Sequence, residues 1–483
     1  MPGGRLVAGV DSSTQATKVV VVDTESGQLL AQGHATHSVT GANGARESDP
    51  GEWWSALRGA LAETGRARDL GAISIAGQQH GLVALDGTGT PLRQAILWND
   101  TRPAEDAERL TNRLGAETWA RLTGLRPVAS FTVSKWAWLR RTEPAIARAT
   151  TAIRLPHDYL TERLTGRGTT DRGDASGTGW WSPASGRYLD EILSLPEVDL
   201  SAGLLPIVLE PGEPAGTVRG EAASDLGLAS GTVVGPGTGD NMAAALGLAL
   251  SVGQAAMSLG TSGTIFAVSD RATADPSGIV AGFADATGRF LPLAATLNCT
   301  QAVDRIAGWL GLDRDDVEPA ASVVVLPYLD GERTPNLPLA SGTIEGLRHG
   351  TTPQQILMAA YEGAVASLLV AFDAIGEAVG GLDPGVPLML VGGGARGATW
   401  REVVGRLTGR ALQVPEAGEL VAIGAAVQAA SVLRGESPTD VAQRWGSARG
   451  LLIDPVPIDH DRLGRIRAAL DAATAEQGRS ATR

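Results

Sequence analysis

Cysteine is almost missing from this chain: Cys299 stands alone among 483 residues. One thiol excludes an internal disulfide framework. With no His or basic residue close to it in sequence, Cys299 reads as a small core residue rather than a nucleophile. Basic residues are the minority, 40 Lys and Arg against 53 Asp and Glu, for a formal net charge of −13. That balance argues against nucleic acid or an anionic membrane surface as the main partner. Any phosphate must then be met by local backbone donors, a few cations or a metal. No leader-like segment precedes the first apolar run, and no long apolar span is read anywhere, which predicts a cytoplasmic chain with no place in a membrane. The G-x-x-x-x-G-K-[ST] of a P-loop is also absent, which excludes that way of cradling a nucleotide.

What is present in quantity is glycine, 63 residues of it, in a composition that is 43% hydrophobic and 19% charged. The length predicts two or three domains. Residues 6–10 and the β-branched run 19–22 read as strands, and 72–76 as a buried strand. Residues 52–64 and the Trp-rich 130–141 read as helices. A glycine-rich turn at 231–239 leaves a strand and leads into a helix at 240–250. Such alternation predicts α/β sheets with largely parallel strands. The Pro-rich stretch near 205–214 and the glycine-rich one at 231–239 mark the expected boundary zone between two halves.

The first hairpin is unusual at its tip. "GVDSSTQATKVVVVD" (9–23) turns on a row of hydroxyl and amide donors instead of Asn-Gly. Residues 258–270, "SLGTSGTIFAVSD", echo it, with Thr14, Thr17 and Asp23 matching Thr261, Thr264 and Asp270 at one offset. Two unrelated polar turns would explain this. So would two similar domains, each offering a donor-lined hairpin to one anion between them, and the shared design favours that second reading. A competing signal lies in "VPLMLVGGGARGATWREVVGRL" (386–407). Gly392, Gly394 and Gly397 satisfy G-x-G-x-x-G between strand and helix, and Glu416 follows at the spacing of a dinucleotide-binding fold. A nicotinamide or flavin enzyme is therefore one reading. Against it, the loop comes late in the chain and leaves both hairpins unexplained. A glycine turn can equally let an adenine and its ribose lie against bare backbone.

Five stretches taken together, 11–18, "ISIAGQQHG" (73–81), 258–264, "VGGGAR" (391–396) and "AIGAAVQAA" (422–430), resemble in order and spacing the actin, hexokinase and sugar-kinase superfold. Within it the chain resembles the FGGY carbohydrate kinases. "GTIEGLRHGTTPQQILMAAYE" (342–362) fits that family's second signature, and "SFTVSKWAWLRRT" (130–142) fits the first except at Thr142. "AILWNDTR" (95–102), "TGDN" (238–241), "SLGTSG" (258–263) and "LPYLDGERTP" (326–335) are most similar to the branch acting on D-xylulose. The resemblance implies two ribonuclease H-like domains about a cleft, 1–243 on the sugar side and 244–483 on the nucleotide side. One departure is Gln79, where that branch carries Met. The extra amide leaves ribulose, a pentitol, glycerol or gluconate as alternative acceptors.

The same resemblance implies the chemistry: ATP, Mg²⁺ and a ketopentose, with a possible homodimer. Asp240 is the expected general base, against the plain reading of a helix cap. Asp11, with Asp240, would hold Mg²⁺, against a turn-forming Asp. Thr14, Lys18, Gly260, Thr261 and Ser262 would face the phosphates, though Lys18 could simply point to solvent. Gly392, Gly393, Gly394 and Ala395 would seat the nucleoside. Gln79, His80, Asp100, Arg102, Asp240 and Asn241 would hold the sugar. An exposed ion pair explains Asp100 and Arg102 as well, and a lone His beside glycine is more often structural. Trp53, Trp54, Trp136 and Trp138 read as core or cleft-wall aromatics, and "DGERTP" (330–335) as a polar loop at the cleft mouth. A catalytically silent sugar sensor is the rival that would lack the base.

Overall fold

The β-branched run forms the middle of a strand, Ala16–Asp23, that turns back antiparallel on Leu6–Ser12. The computed structural model describes residues 6–480. Because strand side chains alternate between faces, this hairpin feeds two cores at once. Ala8, Val10, Val19 and Val21 pack with Trp53, Leu57 and Leu61 of the helix Pro50–Thr64. Val7, Val20 and Val22 point the other way, toward Ala422 and Ala426 of the helix Leu420–Arg434. A seven-stranded sheet grows from this hairpin, with Leu29–Thr36 antiparallel beside Ala16–Asp23 and Leu70–Gly77 parallel beside Leu6–Ser12.

The second hairpin, Ala255–Leu259 and Gly263–Ala267, starts another seven-stranded sheet in the same way. Phe290–Thr296 lies antiparallel on its outer side and Leu388–Val391 parallel on its inner side. The two hairpins therefore occupy matching places in matching sheets; their first strands end at the offset read from the sequence, but the second turn is one residue shorter, with Ser12 opposite Thr17 and Leu259 opposite Gly263. This is the two-domain α/β architecture that the resemblance implied.

Two helices join the halves by close crossing. Gly424 lies where a Cβ would be 1.9 Å from the Ala243 carbonyl oxygen, and Gly247 where one would be 2.2 Å from that of Leu420. Gly9, inside the first strand, admits the same helix: a Cβ there would sit 1.8 Å from the Ala422 oxygen. Ser74 Oγ donates to Gln428 Oε1 (3.0 Å) and Gln428 Nε2 to the Gly237 carbonyl (3.0 Å), tying that helix to the first sheet.

Three expectations change. The stretches 205–214 and 231–239 do not separate the halves: Gly216–Thr217, Val233–Val234 and Thr238–Gly239 all add to the first sheet, because their backbone pairs outward from Leu70–Gly77. A long apolar span does exist. The helix Pro353–Val379 is long and apolar enough to cross a bilayer, yet most of it is buried against the second sheet, where Glu362 is ion-paired with Arg406 and Arg462. The glycine fingerprint is not followed directly by a helix; a 3₁₀ turn, Gly393–Arg396, intervenes before Ala398–Thr408, and the strand it follows is not the first of its sheet. The four tryptophans are buried. So is Cys299, whose thiol burial pushes up to about 12.

Candidate active site

The row of donors at the first tip divides by partner. The Ser13 backbone N–H and Oγ both donate to the Ala16 carbonyl, each at 2.9 Å, and so make the turn itself. Thr14 Oγ1 accepts from Trp98 Nε1 at 3.1 Å, which ties the tip to the loop before Asp100. Asp11 Oδ1, Ser12 Oγ and Thr17 Oγ1 are buried without a hydrogen-bond partner among the described residues. Burial, then the charge of Asp240, pushes Asp11 up to about 7 against the opposing pull of Lys18. Lys18 does not point freely to solvent: its Nζ pairs with Glu419 Oε2 at 2.8 Å, at the start of the helix Leu420–Arg434.

Asp240 is the first residue of the helix Asp240–Gly247, and Gly239 is its cap, so the plain capping role is not its own. Its Oδ1 accepts from Asn241 N (2.8 Å) and Asn241 Nδ2 (2.9 Å), while Oδ2 has no hydrogen bond among the described residues. Burial pushes the carboxyl up to about 6, and the bonds from Asn241 work against that rise. Asn241 Nδ2 also donates to Gln79 Oε1 at 2.8 Å, which links the expected base to the expected sugar-binding amide.

Gln79 is buried and its Nε2 has no hydrogen-bond partner among the described residues. Next to it His80 adopts φ +65°, a conformation that costs a non-glycine residue energy and is held here by its surroundings. Its ring lies 5.1 Å from Phe131 and 5.5 Å from Phe283, the latter contributed by the second sheet. Gly177 leaves room for it, since a Cβ there would be 2.4 Å from His80 Cε1. Burial first, then Lys135 and Arg333, push His80 down to about 3, so the imidazole is neutral, with Nδ1 buried and without a hydrogen-bond partner among the described residues. A neutral imidazole and an amide side by side can each give or take a hydrogen bond from a hydroxyl.

Asp100 and Arg102 spend their charges on each other and on nearby groups. The Asp100 carboxylate accepts from Arg102 Nε (3.0 Å) and Nη2 (2.6 Å) and from the Arg46 backbone (2.9 Å). Arg102 also pairs with Glu47 and lies 4.4 Å over the Trp138 ring. The two form an ion pair, and Asp100 is buried rather than exposed.

On the other side, Gly260, Thr261 and Ser262 form the second tip, with the Gly260 carbonyl accepting from Thr300 N (3.0 Å) and Oγ1 (2.8 Å). Gly392, at φ +84°, and Gly394 press against its base. A Cβ on either would be 2.8 Å from Leu259 atoms, whereas Gly393 faces open space and Ala395 is buried. The glycine turn and the second tip thus share one corner of the second sheet.

Several side chains that line or support the candidate site are not legible in the sequence. Glu419 and Phe283 reach the site from the far half of the chain. Beneath it His157 Nε2 lies 3.2 Å from Asp158, 3.3 Å from Asp174 and 3.6 Å from Asp171, all buried. Burial alone would lower His157, but the three carboxylates outweigh it and push the imidazole up to about 9. Thr238 Oγ1 donates to Asp171 at 2.7 Å, so this cluster supports the strand that delivers Asp240. Its one sequence signal is polar residues inside "LPHDYL" (155–160) and "TDRGDAS" (170–176), which nothing local brings together. Among the described residues, this cluster included, no three His, Cys, Asp or Glu are arranged so that they could hold a metal ion by themselves.

The model of the N-terminal domain of the FGGY family of carbohydrate kinases matches residues 6–247, and that of the C-terminal domain residues 255–433. A xylulose kinase of Streptomyces rubiginosus is 58% identical over 472 residues, covering 97% of each chain. One from Escherichia coli is 35% identical, covering 86% of this chain and 88% of its own. The crystal structure of xylulose kinase from Bifidobacterium adolescentis superposes with a TM-score of 0.85 at 35% identity, over 96% of this chain and 99% of that one.

Proposed function

The chain belongs to the FGGY family of carbohydrate kinases, and from that premise we propose that it transfers the γ-phosphoryl group of ATP to D-xylulose, giving D-xylulose 5-phosphate. The observation that carries this reading is the hydrogen-bonded run from Gln79 through Asn241 to Asp240, which sets a sugar-binding amide beside a carboxylate of raised pKa. Gln79 Nε2 and His80 Nδ1 hold sugar hydroxyls, and Asn241 fixes the Oδ1 side of the base. Asp240 Oδ2 takes the proton of the attacking hydroxyl as the new bond to phosphorus forms. Thr14, Lys18, Gly260, Thr261 and Ser262 face the phosphates, with Glu419 restraining Lys18, and Gly392, Gly393, Gly394 and Ala395 lie under the nucleoside. Asp100 and Arg102 brace the sugar-side loop through their mutual ion pair.

Asp11 and Asp240 offer hard oxygen donors, and the unpartnered Asp11 Oδ1 fits a divalent cation shared with nucleotide phosphates, as Mg²⁺ prefers. When bound, Mg²⁺ neutralises charge on those phosphates. Residues 1–243 form the sugar-binding side and 244–483 the nucleotide-binding side, in a homodimer. A cytoplasmic location, where ATP is made and a lone buried thiol stays reduced, goes with this reading.

A coupled ADP-release screen over ketopentoses, pentitols, glycerol and gluconate tests it. D-Xylulose is expected to give the highest kcat/KM. A better ribulose or polyol would move the reading to another acceptor, and the absence of ADP release with any sugar would point to a sensor. Thermal protection by NAD instead of ATP would revive the oxidoreductase.

A further inference from the structure

The loop containing Asp330, Gly331, Glu332 and Arg333 has no part in the chemistry above, yet it is built with unusual firmness. Glu332 is 1% exposed, and its carboxylate accepts from the backbone N–H of Leu297 (2.6 Å), Asn298 (3.2 Å) and Arg333 (2.7 Å). Asn298 Nδ2 donates to the Gly331 carbonyl at 2.7 Å, and Thr334 Oγ1 to that of Ala295 at 2.9 Å. Gly331 has φ +85°, and a Cβ there would meet the Pro338 oxygen at 2.4 Å. Every one of these ties runs to the segment 295–298 or closes the loop on itself.

That segment also carries the second tip. Thr296 pairs with Gly263 across the sheet and its Oγ1 accepts from Gly263 N at 3.2 Å, while Thr300 holds the Gly260 carbonyl. The Arg333 backbone is thereby fixed near the segment that carries the nucleotide-side hairpin. The Arg333 charge reaches His80 and, after burial and Lys135, helps to keep that imidazole neutral. Arg333 is itself exposed, and its guanidinium makes no ion pair or hydrogen bond among the described residues, since Glu332 spends its carboxylate on backbone N–H groups. A guanidinium that desolvation destabilises, that feels the Glu332 charge but makes no direct ion pair among the described residues, between a phosphate-facing hairpin and a sugar-facing His, is placed for an anion that passes between them.

We propose that Arg333 is a catalytic residue whose guanidinium contacts the oxygens of the phosphoryl group in transit; the inference rests on the kinase reading above. In the step, the bond from the γ-phosphorus to the β,γ-bridging oxygen breaks and its electron pair stays on ADP. The sugar hydroxyl oxygen bonds the phosphorus, and its proton passes to Asp240. Arg333 neither gains nor loses a proton. Its planar fork meets two oxygens of the phosphoryl group at once, a geometry Lys does not reproduce. Charge stabilisation of this kind is worth about 10²–10³-fold in kcat.

The test compares wild type with Arg333→Ala, Arg333→Gln and Arg333→Lys. Expected is a kcat loss of about 10²–10³-fold for Ala, partly regained with Lys. Binding of sugar and of a non-hydrolysable ATP analogue should stay within about threefold, while ADP with aluminium fluoride and sugar, which mimics the transferring group, loses affinity in step with kcat. If the Ala variant melts early, the Gln variant carries the comparison. Unchanged kcat, a raised sugar KM at normal kcat, or equal loss for both nucleotide analogues would each overturn the proposal. Wild type is assayed alongside. A preference for another sugar overturns the D-xylulose reading alone, with the Arg333 comparison made on that sugar, and no ADP release with any sugar overturns both.

Discussion

A carboxylate of ordinary pKa, about 3.9, is a weak base toward an alcohol, so an aspartate that must take such a proton gains from being raised. Burial at the helix start lifts Asp240 to about 6, and Asn241 holds one oxygen so that the other stays open. Asp240→Asn retains the shape and the acceptor oxygen but removes the basic site. It should lower kcat by about 10²–10⁴-fold while leaving binding of a non-hydrolysable ATP analogue intact by calorimetry. The sign of the pH dependence follows from the same group. The base works deprotonated, so kcat/KM for the sugar should rise with pH through about 6 and then level off. A profile already flat from about pH 5 upward would remove Asp240 from the role.

At the scale of elements, the site depends on two helices that touch through backbone. Asp240–Gly247 and Leu420–Arg434 approach so closely at Gly247 and Gly424 that neither position has room for a methyl group. Gly424→Ala should force the helices apart, lowering stability by about 1–3 kcal/mol in chemical denaturation and lowering kcat more than the affinity for ATP, because Asp240 rides on the displaced helix. Wild-type stability and kcat in that variant would mean the crossing is looser than the structure shows. The small-residue run "AIGAAVQAA" (422–430) announces a tightly packed helix. It cannot announce that the first strand, at Gly9, is what the helix packs on.

For the whole molecule, the two tips belong to different sheets; with both serving one triphosphate, as proposed, the halves are expected to close on their ligands. They already touch along one wall: Gly282 N donates to the Gly124 carbonyl at 2.8 Å, and Ala284 N donates to Ser176 Oγ at 2.9 Å. Phe283, between these two contacts, reaches His80. Sugar binding should therefore strengthen binding of a non-hydrolysable ATP analogue by about 1–3 kcal/mol, and the analogue should strengthen sugar binding equally. Small-angle scattering should show a smaller radius of gyration in the ternary complex than in the free protein. Independent binding with an unchanged radius would show that the halves are rigidly docked.

Both hairpins, the helices around residues 52–64 and 130–141, and the α/β alternation are legible in the amino-acid sequence. The period-2 and period-3.6 patterns that encode them are complete within a dozen residues. The family motifs locate Asp240, Gln79 and His80 for the same reason, each being a short contiguous string. Partnerships are not legible. Lys18 finds Glu419, Asp100 closes on Arg102 under Arg46, His80 meets Phe283, and Glu332, beside Arg333, is held by residues near 297. Most of these depend on how far-separated segments are brought side by side, and a pattern read along the chain carries no distance across it. The sequence by itself thus determined the elements and the chemistry they carry. Which of its charges are spent on one another, and which, like Arg333, are left facing the site, was decided only by the packing of the two sheets.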